Sequence, residues 1–310
     1  MTDQRRGFLS GVAAYLLWGL FPLYWPLLKP SGALEILSHR VTWSVLTMAA
    51  VLLTMRRLPQ LRAIFADPRK RSLLTLAAVV IATNWGTYIW GVNHHRVVET
   101  SLGYFINPLV TVLMGVLILG ERLRRLQWFA LAVAAIAVIG LTIEYGRPPW
   151  VALILAFSFG TYGLAKKQAG VEAVESLTFE TIVLAPLAVS YLVWLGIDGG
   201  GHVVGHGVGH AALLVLTGVV TAVPLLFFGA AAIRVPMTTL GLLQYLAPVI
   251  QFLLGVTLLD EHMSAMRWVG FVLVWTALVL FTVDSLRHRR RQAGIATSAL
   301  PVIQITTQRS

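Results

Sequence analysis

The chain has no cysteine among its 310 residues, so disulfides, zinc knuckles and thiol chemistry are closed to it. It is nearly as poor in charge. Asp, Glu, Lys and Arg make up 12% of the residues, about half the share of a soluble globular domain. Acids are scarcest, thirteen against twenty-four bases. A protein with 57% hydrophobic residues and a mean hydropathy of +0.77 could not cover its surface with polar groups, so its solvent is lipid. No G-x-x-x-x-G-K-[ST] loop is present, which excludes ATP as the direct energy source. H-E-x-x-H and G-x-S-x-G are also missing, which weighs against familiar membrane hydrolases. No cofactor motif is found, and no cofactor is expected. The formal charge of +11 does not mark a nucleic-acid binder. The bases form short clusters between apolar runs, not a stripe interleaved with aromatics.

What fills the chain is apolar runs. A membrane-spanning helix needs about 20 mostly apolar residues. Ten such segments are expected, at 7–28, 34–55, 72–92, 100–119, 125–143, 149–165, 177–196, 211–231, 237–258 and 265–285. Irregular backbone is not tolerated against lipid, so all are read as helices. The first follows Arg5 and Arg6, holds Pro22 and Pro26, and ends at no A-x-A-like site; it is read as a retained helix, not a signal peptide. With the N-terminus cytoplasmic, nineteen Lys and Arg fall on the inner side and four on the outer. Both termini are therefore expected inside a cell (plasma or inner) membrane. The basic stretch 287–310 reads as a disordered cytoplasmic tail.

The halves of the sequence resemble each other. A shift of 138 residues matches Thr83 to Thr221, Gly91 to Gly229, Arg96 to Arg234, Val97 to Val235 and Gly103 to Gly241. A shift of 140 matches Pro108 to Pro248, Gly115 to Gly255, Glu121 to Glu261 and Trp128 to Trp268. The repeats are placed at 1–143 and 144–286, five spans each. An odd number inverts the second repeat in the membrane, the arrangement of secondary transporters, with a substrate site near the midplane between halves. The fold class read here is an all-α integral membrane protein of two inverted five-helix repeats.

Several residues could carry chemistry. Proline inside a helix frees the carbonyl four residues back. Pro108 and Pro248 are repeat partners; Asn107 accompanies the first, Gln244 and Tyr245 the second. Paired helix breaks point to a binding site, while a packing kink is the plainer reading. Glu35, His39 and Arg40 open the second span, and intramembrane charge is costly and usually functional. Two readings stay open for Arg40, a pathway cation or a side chain snorkelling to the interface. Arg40 is expected to keep Glu35 ionised. Its repeat partner Glu180 is expected to pair with Lys166 or Lys167. Trp18, Asn84, Trp85, Tyr88 and Tyr104 lie deep enough to line a cavity, and Asn84 and Tyr88 share a helix face. Trp25 and Trp90 read as interfacial belt residues. His202, His206 and His210 fall in a Gly-rich outer loop and read as solvated, and no metal site is assigned. The expected partners are a small-molecule substrate and the lipid bilayer, with no nucleic acid. A membrane-embedded enzyme acting on lipid-linked substrates is the alternative, and a channel or structural subunit is a third.

These residues also carry a family resemblance. YLLWGLFPLYW at 15–25, EILSHRVTWS at 35–44, NWGTYIWGVN at 84–93, SLGYFINPLV at 101–110, GERL at 120–123 with QW at 127–128, PPWVALILAFSFGTYGLAKK at 148–167, TAVPLLFFGAA at 221–231 and TLGLLQYLAP at 239–248 resemble the EamA branch of the drug/metabolite transporter (DMT) superfamily, and within it the RarD group. The resemblance implies ten helices in two inverted halves, a central cavity, inside-facing termini, and export of metabolites or drug-like compounds. The His- and Gly-rich loop near 198–210 departs from the group's pattern.

Overall fold

A computed structural model describes residues 3–119, 123–203, 205–232, 234–235 and 243–298. Every regular element among them is helical. In chain order these are α1 (Asp3–Gly19), α2 (Phe21–Tyr24), a 3₁₀ turn (Trp25–Leu28), α3 (Ala33–Thr54), α4 (Leu58–Ala66), α5 (Pro68–Asn93), α6 (Val97–Leu119), α7 (Arg125–Tyr145), α8 (Trp150–Ala169), α9 (Ala173–Ile197), α10 (Gly207–Ala232), α11 (Leu246–Thr257) and α12 (Ala265–Ser298). Eight helical stretches are long and apolar enough to cross a membrane. Two shorter apolar ones, Trp150–Lys166 and Leu246–Thr257, fall where the sixth and ninth spans are expected. The first part of that ninth expectation lies outside the described residues. Leu46, Leu53, Ile136, Ile143, Leu187 and Val279 are each more than half exposed, as side chains meeting lipid should be.

Local chemistry sets the ends. Pro68 opens α5, where its missing N–H costs nothing. Asp67 caps that helix by accepting from the amides of Arg69 and Lys70, and the Lys70 amide in particular holds its carboxyl below the usual range. Gly146 and Gly170 end α7 and α8 at φ of 62° and 61°, the left-handed conformation that glycine adopts without strain.

The connection after the second span contains a short helix, α4, whose Leu61 and Ile64 are buried with Leu52, Leu74 and Phe179. Residues 287–298 continue α12 where a disordered tail is expected; 299–310 lie outside the described residues. Pro108 lies inside a continuous α6, whereas Pro248 sits in the first turn of α11. The two repeat-related prolines therefore do not make matching breaks.

The core lies mainly between the two sequence repeats. The most extensive helix packings pair α8 with α5 and α6, α12 with α7, α3 with α9 and α10, and α1 with α10, and each joins residues before 144 to residues after it. The largest apolar cluster follows the same rule, with Phe105, Ile106 and Leu109 of α6 against Phe252 of α11 and Phe271 of α12. Small residues permit the closest approaches, as expected where lipid removes the hydrophobic drive between helices. A Cβ on Gly218 of α10 would stand 2.5 Å from the carbonyl carbon and oxygen of Trp43 in α3.

Candidate functional site

Arg40 is the one buried Lys or Arg among the described residues. It lies about two turns into α3 and is only 3% exposed, so the snorkelling reading is set aside. Its Cζ sits 4.0 Å from the ring centroid of Trp85 in α5, 5.2 Å from Trp25 and 5.8 Å from Phe21. Its Nε donates to Thr221 Oγ1 of α10 at 2.8 Å. That hydroxyl passes its own proton to the Thr217 carbonyl at 2.8 Å. A cation–π contact is worth about 2 kcal/mol or more when desolvated, and a hydrogen bond from a charged donor about 1.5–3 kcal/mol. Together these offset much of the several kcal/mol that taking an ion out of water costs.

Asn84 anchors the adjoining face of α5. Its Nδ2 donates to the Leu155 carbonyl at 3.0 Å and to Ser158 Oγ at 2.9 Å, both in α8. Its Oδ1 accepts from the Tyr104 hydroxyl of α6 at 3.2 Å. The rings of Tyr104 and Tyr88 meet edge to face, 5.7 Å apart. Tyr24, Tyr88 and Tyr104 all lie within electrostatic reach of Arg40. The Tyr24 hydroxyl donates to the Leu213 carbonyl at 2.6 Å. The Tyr88 hydroxyl and Trp25 Nε1 are buried without a hydrogen-bond partner among the described residues.

Glu35 is held from elsewhere. Both its oxygens face His202, one accepting from the backbone amide and one against Nδ1, each at 2.7 Å. The rings of His202, His206 and His210 follow one another at 5.1 and 5.7 Å, and His210 Nε2 meets Ser31 Oγ at 3.1 Å. The loop read as solvated is thus tied to the start of α3. Among the described residues no ion pair joins Glu35 to Arg40, so the expected link between them is withdrawn. His39 accepts at Nδ1 from Trp43 Nε1 at 3.3 Å. Trp25 is fully buried and is no belt residue. Trp90 stacks on His94 at 4.2 Å. Glu180 is buried and pairs with Lys166 at 3.3 Å, one of the two partners expected.

The remaining site residues lie apart. Trp18 packs with Tyr15 and Phe228, ring centroids 5.2 and 5.8 Å away, and its carbonyl accepts from Gln251 Nε2 at 3.0 Å. Asn107 accepts weakly from Thr111 at 3.5 Å. The Tyr245 hydroxyl lies within reach of Gln244 and Thr282, and Pro108 and Pro248 are buried. Among the described residues no hydrogen bond joins Asn107 to Gln244. Ser158 was not singled out by the sequence, and His202 was read only as a solvated loop residue. Thr221 carried a signal only as the repeat partner of Thr83.

A separate charged recess of about 520 Å³ opens at the α5–α6, α7–α8 and α11–α12 junctions. There Glu99 pairs with Arg147 at 3.0 Å and accepts from the Val151 amide at 3.1 Å. Glu261 accepts from the amides of Val97, and of Val98 at 2.8 Å, closing the start of α6 from the other repeat. Burial raises its carboxyl above the ordinary value, against the lowering effect of those amides.

Residues 5–143 and 148–283 each match the profile of the EamA-like transporter family. "Protein RarD" of Streptomyces exfoliatus is 56% identical over 308 residues, 99% of this chain and 98% of that one. An "Uncharacterized transporter" of Vibrio cholerae is 42% identical over 293 residues, 94% and 97% of the two chains. "Chloramphenicol-sensitive protein RarD" of Pseudomonas aeruginosa is 33% identical over 300 residues, 94% and 99%. A solved crystal structure aligns with a TM-score of 0.58 at 20% identity, over 91% of this chain and 98% of that one, which shows a shared fold and no more. With nearly its whole length matched, the chain is a multi-pass membrane protein that belongs to the EamA-like transporter family.

Proposed function

We propose that this transporter is a secondary exporter of small metabolites or drug-like compounds. Its pathway runs between two inverted five-helix repeats (1–143 and 144–286), spans the membrane ten times and leaves both termini in the cytoplasm. The observation that carries the reading is the buried Arg40, held by residues of both halves of the chain: Trp85 and Trp25 from the first, Thr221 from the second. A deeply placed cation at such a junction is what a substrate path requires and a packing core avoids. With Glu35 tied to His202 and Glu180 to Lys166, the buried acids already hold cations or hydrogen-bond donors. This favours movement down a substrate gradient, as a facilitator or exchanger, over proton coupling. The test is counterflow of a metabolite panel in proteoliposomes, first without and then with an imposed pH gradient. Saturable exchange indifferent to the gradient is expected. Accumulation that follows the gradient and disappears in Glu35→Gln refutes the energetic part; no movement above protein-free vesicles for any compound refutes the transport path.

A further inference from the structure

The buried charges of this protein do not balance locally. Glu35, Arg40, Glu99, Glu175 and Glu180 are the buried Asp, Glu, Lys or Arg residues described. Each of the four acids has a basic partner: His202 for Glu35, Arg147 for Glu99, Arg57 for Glu175 and Lys166 for Glu180. Arg40 is the exception. Among the described residues no carboxylate lies within ion-pair distance of it, and its one hydrogen bond uses Nε, leaving the Nη edge of the fork.

The polar groups near Arg40 offer little to balance it. The nearby acceptors are occupied: Thr221 Oγ1 by Arg40 itself, Asn84 Oδ1 by Tyr104, and the Leu213 carbonyl by Tyr24. What remains buried nearby without a partner is the Tyr88 hydroxyl, which can donate or accept, and the Trp25 Nε1 donor. Trp25 presents its ring 5.2 Å from the guanidinium. A buried unpaired donor costs the full desolvation of the group, and a buried unpaired charge costs more. An uncompensated buried cation beside two unpartnered groups able to donate is complementary to one class of guest. The planar fork of arginine matches a carboxylate or phosphate with two parallel hydrogen bonds, and the Trp85, Trp25 and Phe21 rings would border its apolar part.

Resting on the transport reading above, we infer that the substrate is an organic oxyanion, a carboxylate or a phosphate or phosphonate group on a small apolar body. Its charged end takes the Nη edge of Arg40, with Tyr88 and Trp25 as supporting donors. Thr221 is a positioning residue: it holds Nε and so sets the direction in which the fork opens.

The test uses purified full-length protein and four probes sharing a phenyl ring, namely benzoate, phenyl phosphate, benzamide and benzylamine, at constant ionic strength. Ligand-dependent thermal stabilisation in detergent reads binding, since a guest that binds only the folded state raises its apparent stability. Saturable stabilisation by benzoate, by phenyl phosphate or by both is expected, and which of the two is stronger distinguishes carboxylate from phosphate chemistry. Benzamide and benzylamine are expected to bind more weakly by about tenfold or more. Arg40→Gln should lose the anion response, while Arg40→Lys, which keeps the charge without the fork, should retain part of it. If neither substitution yields a monodisperse protein, Thr221→Val should still weaken the anions selectively. Stabilisation by the neutral or cationic probes equal to that by the anions overturns the inference, as does an unchanged anion response in Arg40→Gln or no response to any probe. Counterflow separates the two readings. Anion binding without counterflow overturns the transport path alone, and counterflow of neutral compounds unaffected by Arg40→Gln overturns the anion site alone.

Discussion

Gly218→Ala is the substitution whose outcome the packing dictates most directly. The added carbon would stand 2.5 Å from both the carbonyl carbon and oxygen of Trp43, and 2.8 Å from its Cβ. Non-bonded carbons sit at roughly 3.5–4.0 Å, so α10 and α3 must part by about 1 Å. Two of the three obstructing atoms are backbone, and no side-chain rotation relieves them. Overpacking of this kind costs about 1–3 kcal/mol, occasionally more. Alanine also improves helix propensity by about 0.8–1.0 kcal/mol, which hides part of the loss. Gly140→Ala is the matched control: it receives the same propensity gain and meets nothing within 4 Å. The difference between the two variants isolates the clash. In thermal unfolding of the purified proteins in one detergent, Gly140→Ala should match or exceed the wild type and Gly218→Ala should melt clearly below it. Coincident melting of the two variants would show that α3 and α10 are not in the contact described. Because Trp43 donates to His39, the neighbour of Arg40, the same substitution should lower transport more than its stability loss alone explains.

Other outcomes follow from individual contacts. Lys166→Met leaves the buried Glu180 carboxylate without its ion-pair partner and should cost about 3–5 kcal/mol; adding Glu180→Gln should recover most of it, and a double variant no more stable than the single one contradicts the pairing. Asn84→Leu removes one donor group shared by Leu155 and Ser158 and the acceptor of Tyr104, a loss of about 1–3 kcal/mol for each orphaned group. Its check is urea or thermal unfolding against Asn84→Gln, and an unchanged midpoint removes Asn84 from the interior network. Single cysteines introduced at Gly200 and Arg62 should react with a membrane-impermeant reagent from opposite sides, Gly200 from outside; labelling from the same side contradicts the ten-span topology. Pro108→Ala should leave α6 continuous, as it already is, so transport should fall little; a large loss with normal insertion would return the proline to the pathway.

Elements whose identity rests on composition were legible from the residues alone: the long apolar helices, the deep polar face of α5, and the exceptional charges at the start of α3. Partnership was not. Arg40 finds Thr221 across 181 positions and Glu35 finds His202 across 167, and no periodicity connects residues so far apart. The reading of Glu35 beside Arg40 relied on adjacency in sequence, but neighbours at i and i+5 diverge around a helix, and each side chain takes its partner from a different element. Trp25 was assigned to a belt because tryptophan near a span end usually lies there; the short α2 and 3₁₀ turns bring it back over Arg40 instead. The α4 helix was missed because Leu58, Leu61 and Ile64 lie in a basic connection too short to span, though their spacing of three is helical.

The crossing of polar partners between repeats has a consequence for biogenesis. The α3 segment reaches the bilayer carrying Glu35, His39 and Arg40, while Thr221 and His202 are still unmade. At about 5–20 residues per second, Arg40 waits roughly 10–40 s for the hydroxyl that will hold it. During that interval the arginine carries an insertion cost of at most about 2.5–3.5 kcal/mol, the figure for a helix centre, met by the lipid interface and by water rather than by protein. Asn84 likewise awaits Leu155 and Ser158, and Val97 and Val98 await Glu261. A ribosome stopped after residue 143 has produced a set of helices holding one member of each of these bonds, so these contacts close only when the later helices are threaded in.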